Sequence, residues 1–285
     1  MESQTKHQTT SGQLFVVATP IGNLGDITYR AVETLKNVDL IAAEDTRTSR
    51  KLLQHFAINT AMMAVHEHNE AYAADKLLLR LQQGEDIALI SDAGTPLISD
   101  PGYRLVRKLR SEGIRIIPIP GASSVLTALC AAGLPTDHFR FEGFLPRSGS
   151  SRRVALNRIA SSTETNVILE SPRRLLATLK QLQTLLEEAR ELVVARELTK
   201  LHEQFVAGSA TELVTHFSTT PPRGEIVLVV APALPRESRD IDDSEIQTLL
   251  ATAAMQALPP SARAKAVSKE LGISKTRVYD LISRQ

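Results

Sequence analysis

Cysteine occurs once in the 285-residue sequence, at Cys130 inside the apolar run Val-Leu-Thr-Ala-Leu-Cys-Ala-Ala. A lone thiol excludes a disulfide within the chain and any metal centre built on cysteine, and it suits a reducing compartment. Long hydrophobic runs are missing as well. No stretch reaches the roughly 18 apolar residues that a membrane-spanning helix needs. The first eleven residues, Met1 to Ser11, lack the apolar centre of a secretory signal and are expected to form a flexible tail. No charge predominates: 33 Lys plus Arg stand against 32 Asp plus Glu, so any basic surface must be local. Aromatic residues are few, 4% with no tryptophan, which argues against a function resting mainly on ring stacking. Internal repeats, low-complexity segments and the G-x-G-x-x-G dinucleotide fingerprint are also absent.

What remains is an ordinary globular composition, 42% hydrophobic and 23% charged, long enough to bury a real core. Short apolar runs alternate with segments of helical period, which predicts an α/β architecture. The runs at 14–18, 40–43, 62–66, 87–90 and 114–119 read as strands of a first open sheet. Helices are expected between them at 29–37 and 75–83, the second closed by Gly84. A helix at 123–132, stopped by Gly133 and Pro135, opens a second half. Its strands are expected at 139–144, 167–170, 192–195, 203–207 and 225–230, with a helix at 173–188 behind Pro172. Strands follow one another more directly there, so that sheet is expected to be mixed. The reading is two α/β domains, 12–120 and 121–232, a Pro- and charge-rich linker at 233–243, and a helical module at 244–285. Within that module a Gly272 turn and a Ser274 cap resemble a helix-turn-helix.

Four loops leave predicted strands at the edge where α/β sheets collect ligands. The first, Thr19-Pro20-Ile21-Gly22-Asn23, combines proline and glycine in a tight turn. The second carries Glu44-Asp45-Thr46-Arg47. Adjacent carboxylates there can orient a ribose, hold a cation or act as a base, and they equally suit a solvated helix N-terminus. The third, from Ser91 to Tyr103, crowds two Asp, two Gly and two Pro behind the most apolar strand. Small residues there admit a flat ligand, and acids accept its hydrogen bonds. The fourth, Pro120-Gly121-Ala122-Ser123-Ser124, can cap a helix or hold an anion on its amides. His66 and His68 lack further ligands at recognisable spacing and are read as strand-end polar residues, with no metal expected.

In order, these segments resemble the tetrapyrrole methylase superfamily, in the branch acting on small-subunit ribosomal RNA. The shared motifs are Thr19 to Asn23 with Asp26-Ile27-Thr28, Ala43 to Arg47, His66 to Asn69, Ser91 to Gly102 and Pro118 to Gly121. Phe141-Glu-Gly-Phe-Leu-Pro146, Glu170 to Arg174, Ala195 to Lys200 and Gly224-Glu225 complete the set, which spans roughly 12–230. The resemblance implies S-adenosylmethionine bound between two α/β domains. Pro20, Ser91, Asp92, Ala93, Gly94, Thr95, Ser123 and Ser124 would line its site, with Leu169, Glu170, Gly224 and Glu225 from the second half. It implies a cytidine 2′-hydroxyl in the decoding region of 16S ribosomal RNA as acceptor, within the small subunit, and a cytoplasmic homodimer. The Thr-Pro-Ile-Gly-Asn loop departs from the G-x-G-P-G type of enzymes acting on porphyrinoids.

A ribose hydroxyl needs a proton acceptor. Asp45 or Glu44 is the first choice with Arg47 steering phosphate; Lys200 is the runner-up, since desolvation can depress a lysine pKa, and Asp100 and Glu197 are further candidates. For the RNA itself, Arg147, Arg152 and Arg153 suggest a basic flexible loop and Arg173 and Arg174 a basic helix start. Lys275 and Arg277, with Arg263, Lys265 and Lys269, add a basic turn in the tail. Two other readings stand beside this one: methylation of a small macrocycle, and a ligand sensor whose tail reads DNA.

Overall fold

The computed structural model describes residues 11–66, 68–233, 242–271 and 273–283. Glu67, Gly272, the first ten residues and 234–241 of the expected linker therefore lie outside the described residues. Contacts divide the chain into two compact units, Met1–Ala233 and Leu234–Gln285.

The first unit holds both expected sheets. Strands β1 (Gln13–Val17), β2 (Leu40–Ala43), β3 (Met62–Ala64), β4 (Ile87–Ile90) and β5 (Arg115–Ile119) pair in the order β3-β2-β4-β1-β5, all parallel. Helices α1 (Tyr29–Asn37), α2 (Thr46–His55), α3 (Glu70–Gln82) and α4 (Tyr103–Ser111) make the crossovers. Every residue of β2 and β4 is buried, as parallel strands covered on both faces must be. One core lies on each face of this sheet, around Leu77, Leu81 and Leu105 on one side and Leu35, Ile41 and Leu53 on the other. Helix α3 begins five residues before the expected start. The Asn69 side chain folds the preceding turn, accepting from the His66 amide and donating to the Ala64 carbonyl. The buried Glu70 carboxylate takes the Leu105 amide at 2.9 Å, one of the donors that the first turn of α4 leaves free.

Helix α5 (Ser124–Ala132), capped by Ser123 and ended at Gly133 with φ 70°, leads into the second half. There β6 (Phe139–Phe144), α6 (Gly149–Ser161), β7 (Thr165–Glu170), α7 (Pro172–Gln183), β8 (Glu191–Arg196), β9 (Gln204–Ser209), α8 (Ala210–Thr219) and β10 (Ile226–Val230) follow. Their sheet runs β6-β7-β10-β8-β9 and is mixed: only β6 and β7 are parallel. Helix α5 packs on one face through Val125, Ala128 and Leu129, and α6, α7 and α8 cover the other through Leu156, Leu179 and Leu213. The basic loop expected after β6 is instead largely helix α6. Its inward stripe Arg152, Ala155, Leu156 and Ile159 gives it a buried face that a reading of charge alone overlooked. Helix α7 stops at Gln183, short of the expected 188, and a turn then carries the chain to Arg190. That guanidinium, 1% exposed, donates to the carbonyls of Ile159, Ala160 and Ala231 and ties the end of α6 to the end of β10.

The second unit is helical throughout its described residues. It comprises α9 (Asp243–Leu250), α10 (Ala253–Gln256), α11 (Pro260–Leu271) and α12 (Lys275–Ser283), around Ile246, Leu250, Ala264, Val267, Val278 and Leu281. Ser274 caps α12, accepting from the Arg277 amide. No helix among the described residues is long and apolar enough to cross a membrane.

Candidate active site

The loops after β1, β4 and β5 meet the ends of β6, β7 and β8 and the start of β10 around a cavity of about 350 Å³. That size and its mainly apolar lining fall in the range of small-molecule sites. The first loop is stitched to the third by backbone: the Thr19 amide donates to the Gly94 carbonyl at 2.8 Å, and Gly94 donates back at 3.0 Å. Ile21 then faces the cavity, while Gly22 lies under the stem of Lys200. A Cβ at Gly22 would stand 2.4 Å from the lysine Cγ, so the glycine permits the two halves to approach. The Thr95 hydroxyl donates to the Ala122 carbonyl and joins the third loop to the fourth.

Backbone strain gathers here. Of the five non-glycine residues with positive φ among the described residues, Leu97, Ser99, Glu197 and Thr199 belong to loops bordering this cavity. Such conformations persist only where surroundings over-determine them. Glu197 shows how. Its carboxylate accepts from the Glu225 amide at 3.0 Å and the Lys200 ammonium at 2.9 Å, and it fills the space beside Gly224 that a Cβ would need. The Lys200 hydrogen bond holds the Glu197 carboxyl below its usual range.

Of the residues expected around the cofactor, Ala93, Gly94, Thr95, Ser123, Ser124, Leu169, Glu170, Gly224 and Glu225 line the cavity. Pro20, Ser91 and Asp92 do not. Ser91 is buried beneath the turn and donates to the Ala93 carbonyl, so it shapes the loop from behind. Sequence reading missed several apolar walls, among them Ile98, Val125, Phe141, Leu198 and Val227, because such residues are indistinguishable from core until the loops are placed. It also missed Phe144 as a lining residue, although that ring lay inside a recognised motif.

The proton-acceptor candidates separate. Asp45 is the N-cap of α2, accepting from the Arg47 amide and pairing with its guanidinium at 2.8 Å. Those hydrogen bonds lower its pKa to about 2, which suits a cap and leaves a weak base. Arg47 is bound in that pair. Glu44 lines a separate crevice with Ser91 and Gly102, and its pKa is raised by burial and by the nearby Asp100 charge. Lys200 does not line the cavity. Desolvation acts to lower its pKa, but the bond to Glu197 and the Glu225 charge outweigh it, so its pKa is raised and the expectation of a depressed value is corrected. Asp100 does line the cavity; burial and the Asp92 charge raise its pKa against a hydrogen bond from Ser91.

The arginines expected to meet RNA divide in the same way. A second cavity, about 520 Å³, is lined by Arg147, Arg152, Arg153 and Arg174. Arg147 and Arg153 are exposed. Arg152 is not free for phosphate: at 6% exposure it donates to the Pro146 carbonyl, Gln181 and the Thr178 hydroxyl. Thr178 in turn donates to the buried Glu170 carboxylate at 2.6 Å, and Arg174 pairs with Glu170 at 3.3 Å while donating to the Leu145 carbonyl. Arg173 is exposed outside this cavity. In the second unit Lys275 donates to Ser261 and Arg277 pairs with Asp243. His66 and His68 stand ring to ring with centroids 6.0 Å apart. No group of three or more His, Cys, Asp or Glu suited to a metal occurs among the described residues.

The model of the family described as Tetrapyrrole (Corrin/Porphyrin) Methylases matches residues 13–214. Ribosomal RNA small subunit methyltransferase I of Synechocystis sp. is 46% identical over 270 residues, covering 95% of this chain and 97% of its own. The protein of the same description from Escherichia coli O157:H7 is 46% identical over 98% of this chain and 97% of its own. Uroporphyrin-III C-methyl transferase from Thermus thermophilus, solved with S-adenyl homocysteine, shares the fold at a TM-score of 0.56 and 18% identity, over 77% of this chain and 97% of that one. With a family match over residues 13–214 and such identity over nearly its full length, the chain belongs to the tetrapyrrole methylase family, in the branch of the ribosomal RNA small subunit methyltransferases I.

Proposed function

We propose that the chain transfers a methyl group from S-adenosylmethionine to the 2′-hydroxyl of a cytidine ribose in the decoding region of 16S ribosomal RNA, acting on the small ribosomal subunit. The observation that carries this is the cavity at the joined sheet edges, with the cofactor residues of the family's motifs around it. Its walls suit the cofactor. Ile21, Val125, Leu169, Leu198 and Val227 offer apolar surface to an adenine, and Gly94 lets a flat group approach the backbone. Asp100 and Glu225 supply acceptors and negative charge for a cationic ligand. The first turn of α5, at Ser123 and Ser124, opens on the cavity and presents amides suited to a carboxylate. When bound, the cofactor supplies an electrophilic methyl carbon on a sulfonium.

The chain's own task is alignment and proton removal. Asp100 is the best-placed acceptor for the hydroxyl proton, since it lines the cavity and its raised pKa makes it a stronger base than Asp45. Lys200, held protonated by two carboxylates, braces the loops and fixes Glu225 at the rim. Arg147 and Arg153 offer exposed guanidinium groups to the phosphates flanking the target. The reading includes a cytoplasmic homodimer. Tyr29 and Leu201, 95% and 93% exposed, are apolar side chains that a second copy would cover, and sedimentation of the purified chain measures whether it forms.

The test is incubation of the purified protein with radiolabelled S-adenosylmethionine and unmodified small subunits, followed by mapping of nuclease-resistant linkages. Label on one decoding-region ribose is expected. Cofactor binding without label on subunits or free RNA would overturn the ribosomal reading and direct the search to porphyrinoids.

A further inference from the structure

Phe144 is unusual for a ring in this chain. It lines the cofactor cavity yet remains 59% exposed, whereas Phe141, three residues earlier on β6 and lining the same cavity, packs into the core. Residues three apart on a regular strand face opposite sides of a sheet. Here they share a cavity because β6 carries a bulge: Phe141 pairs with Val167, but Gly143 pairs with Ile168. Gly143, at φ 62°, takes the left-handed turn of that bulge, and a Cβ there would stand 3.3 Å from the Ser99 hydroxyl. Bulges next to active sites re-aim side chains in this way.

The segment behind the ring is fixed. Arg174 donates to the carbonyls of Leu145 and Pro146, and Arg152 to that of Pro146, so two guanidinium groups pin the two residues that follow Phe144. Phe144 also borders a second groove, about 490 Å³, shared with Val154, Ser150 and Arg158, and the arginine cavity begins at Arg147. An exposed aromatic on a rigid backbone, between a methyl-donor cavity and exposed cations, matches what a protein offers an unstacked nucleobase. With 4% aromatics the chain does not read RNA mainly by stacking, so a single ring placed at this mouth stands out.

We infer that Phe144 is the platform on which the base of the target nucleotide stacks, placing that nucleotide's ribose at the cavity mouth. This rests on the RNA methyltransferase reading above. Stacking supplies what no hydrogen bond in the cavity does, a hold on the base that tolerates its identity while fixing the sugar beside it.

The test compares the full-length chain with Phe144→Ala, Phe144→Leu, Phe144→Tyr and Phe144→Trp, measuring S-adenosylmethionine affinity by calorimetry and steady-state kinetics on unmodified small subunits. Because the ring borders the cavity, cofactor affinity is expected to shift, but by no more than a few-fold in any variant and by less than the RNA step does. The ratio kcat/KM for subunits falls about 10- to 100-fold in Phe144→Ala and Phe144→Leu and is restored within a few-fold by Tyr and Trp. Full rescue by leucine, or a cofactor affinity that falls in parallel with kcat/KM, would overturn the inference, because either outcome makes the ring a plain apolar contact. A wild-type chain that labels no RNA overturns the parent reading as well. A wild type that labels subunits beside an equally active Phe144→Ala overturns the platform alone.

Discussion

Gly224→Ala puts the brace between the cavity loops under direct test. Gly224 has φ 81°, and a Cβ on it would stand 1.9 Å from the Glu197 carboxylate oxygen and 2.2 Å from its carboxyl carbon. Two penalties combine. Holding an alanine in the left-handed region costs about 1 kcal/mol. Glu197 must also swing away from the Glu225 amide and from Lys200, and a hydrogen bond to a charged group is worth roughly 1.5–3 kcal/mol. Lys200 is partly exposed, so its pairing adds little beyond that. The expected loss is about 3 kcal/mol. Gly133→Ala is the control: φ there is 70°, nothing lies within 4 Å of the added Cβ, and the loss should be about 1 kcal/mol. Urea unfolding of the three proteins reads the difference from the midpoints at a common slope. S-adenosylmethionine titration should show weaker binding for Gly224→Ala only. Losses equal within about 0.5 kcal/mol for the two variants would refute the brace, leaving only the backbone effect.

Three further outcomes are expected. Asp100→Asn should lower kcat by about 100-fold or more with cofactor binding retained. Because the folded-state pKa of Asp100 lies above its unfolded value, its charged form disfavours folding at neutral pH, so the same change should leave Tm equal or higher. The wild-type rate should rise with pH through that raised pKa and lose the dependence in Asp100→Asn; a pH–rate profile shows either. Arg190→Met should cost about 3–5 kcal/mol in urea unfolding, since it strands carbonyls of Ile159, Ala160 and Ala231, and Arg190→Lys should not restore the loss. Arg153→Ala should weaken binding to the small subunit and reduce the slope of log affinity against log salt by about 1, and an unchanged slope would remove Arg153 from the phosphate contacts.

The two sheets were legible because hydrophobic periodicity is local. Runs such as Leu40–Ala43 and Ile87–Ile90 are buried on both faces and therefore apolar throughout, whichever partner lies beside them. Local chemistry also marked the stops, as at Gly133, and the caps, as at Ser123 and Ser274. The ordered loop motifs carried the family and nine cavity residues, since a cofactor loop requires glycines and acids that an ordinary turn does not.

Other features depended on partners distant along the chain. Arg152 and Arg153 are adjacent and chemically alike, yet one closes onto Thr178 and Gln181 and the other faces solvent, because helical rotation sends neighbours to different faces. Lys200 reads as a possible base until Glu197 and Glu225 are set against its ammonium. Asp45 is the local exception, its pKa brought to about 2 by Arg47 two residues on. A pKa is a property of surroundings, and residues 25 and 28 positions apart supply them only after folding. The bulge that turns Phe144 toward the cavity depends likewise on the register of β6 against β7. Composition and period thus determined which segments become strands, helices and loops; tertiary structure alone decided which polar side chains satisfy one another and which remain for substrate, because that depends on pairings across the fold.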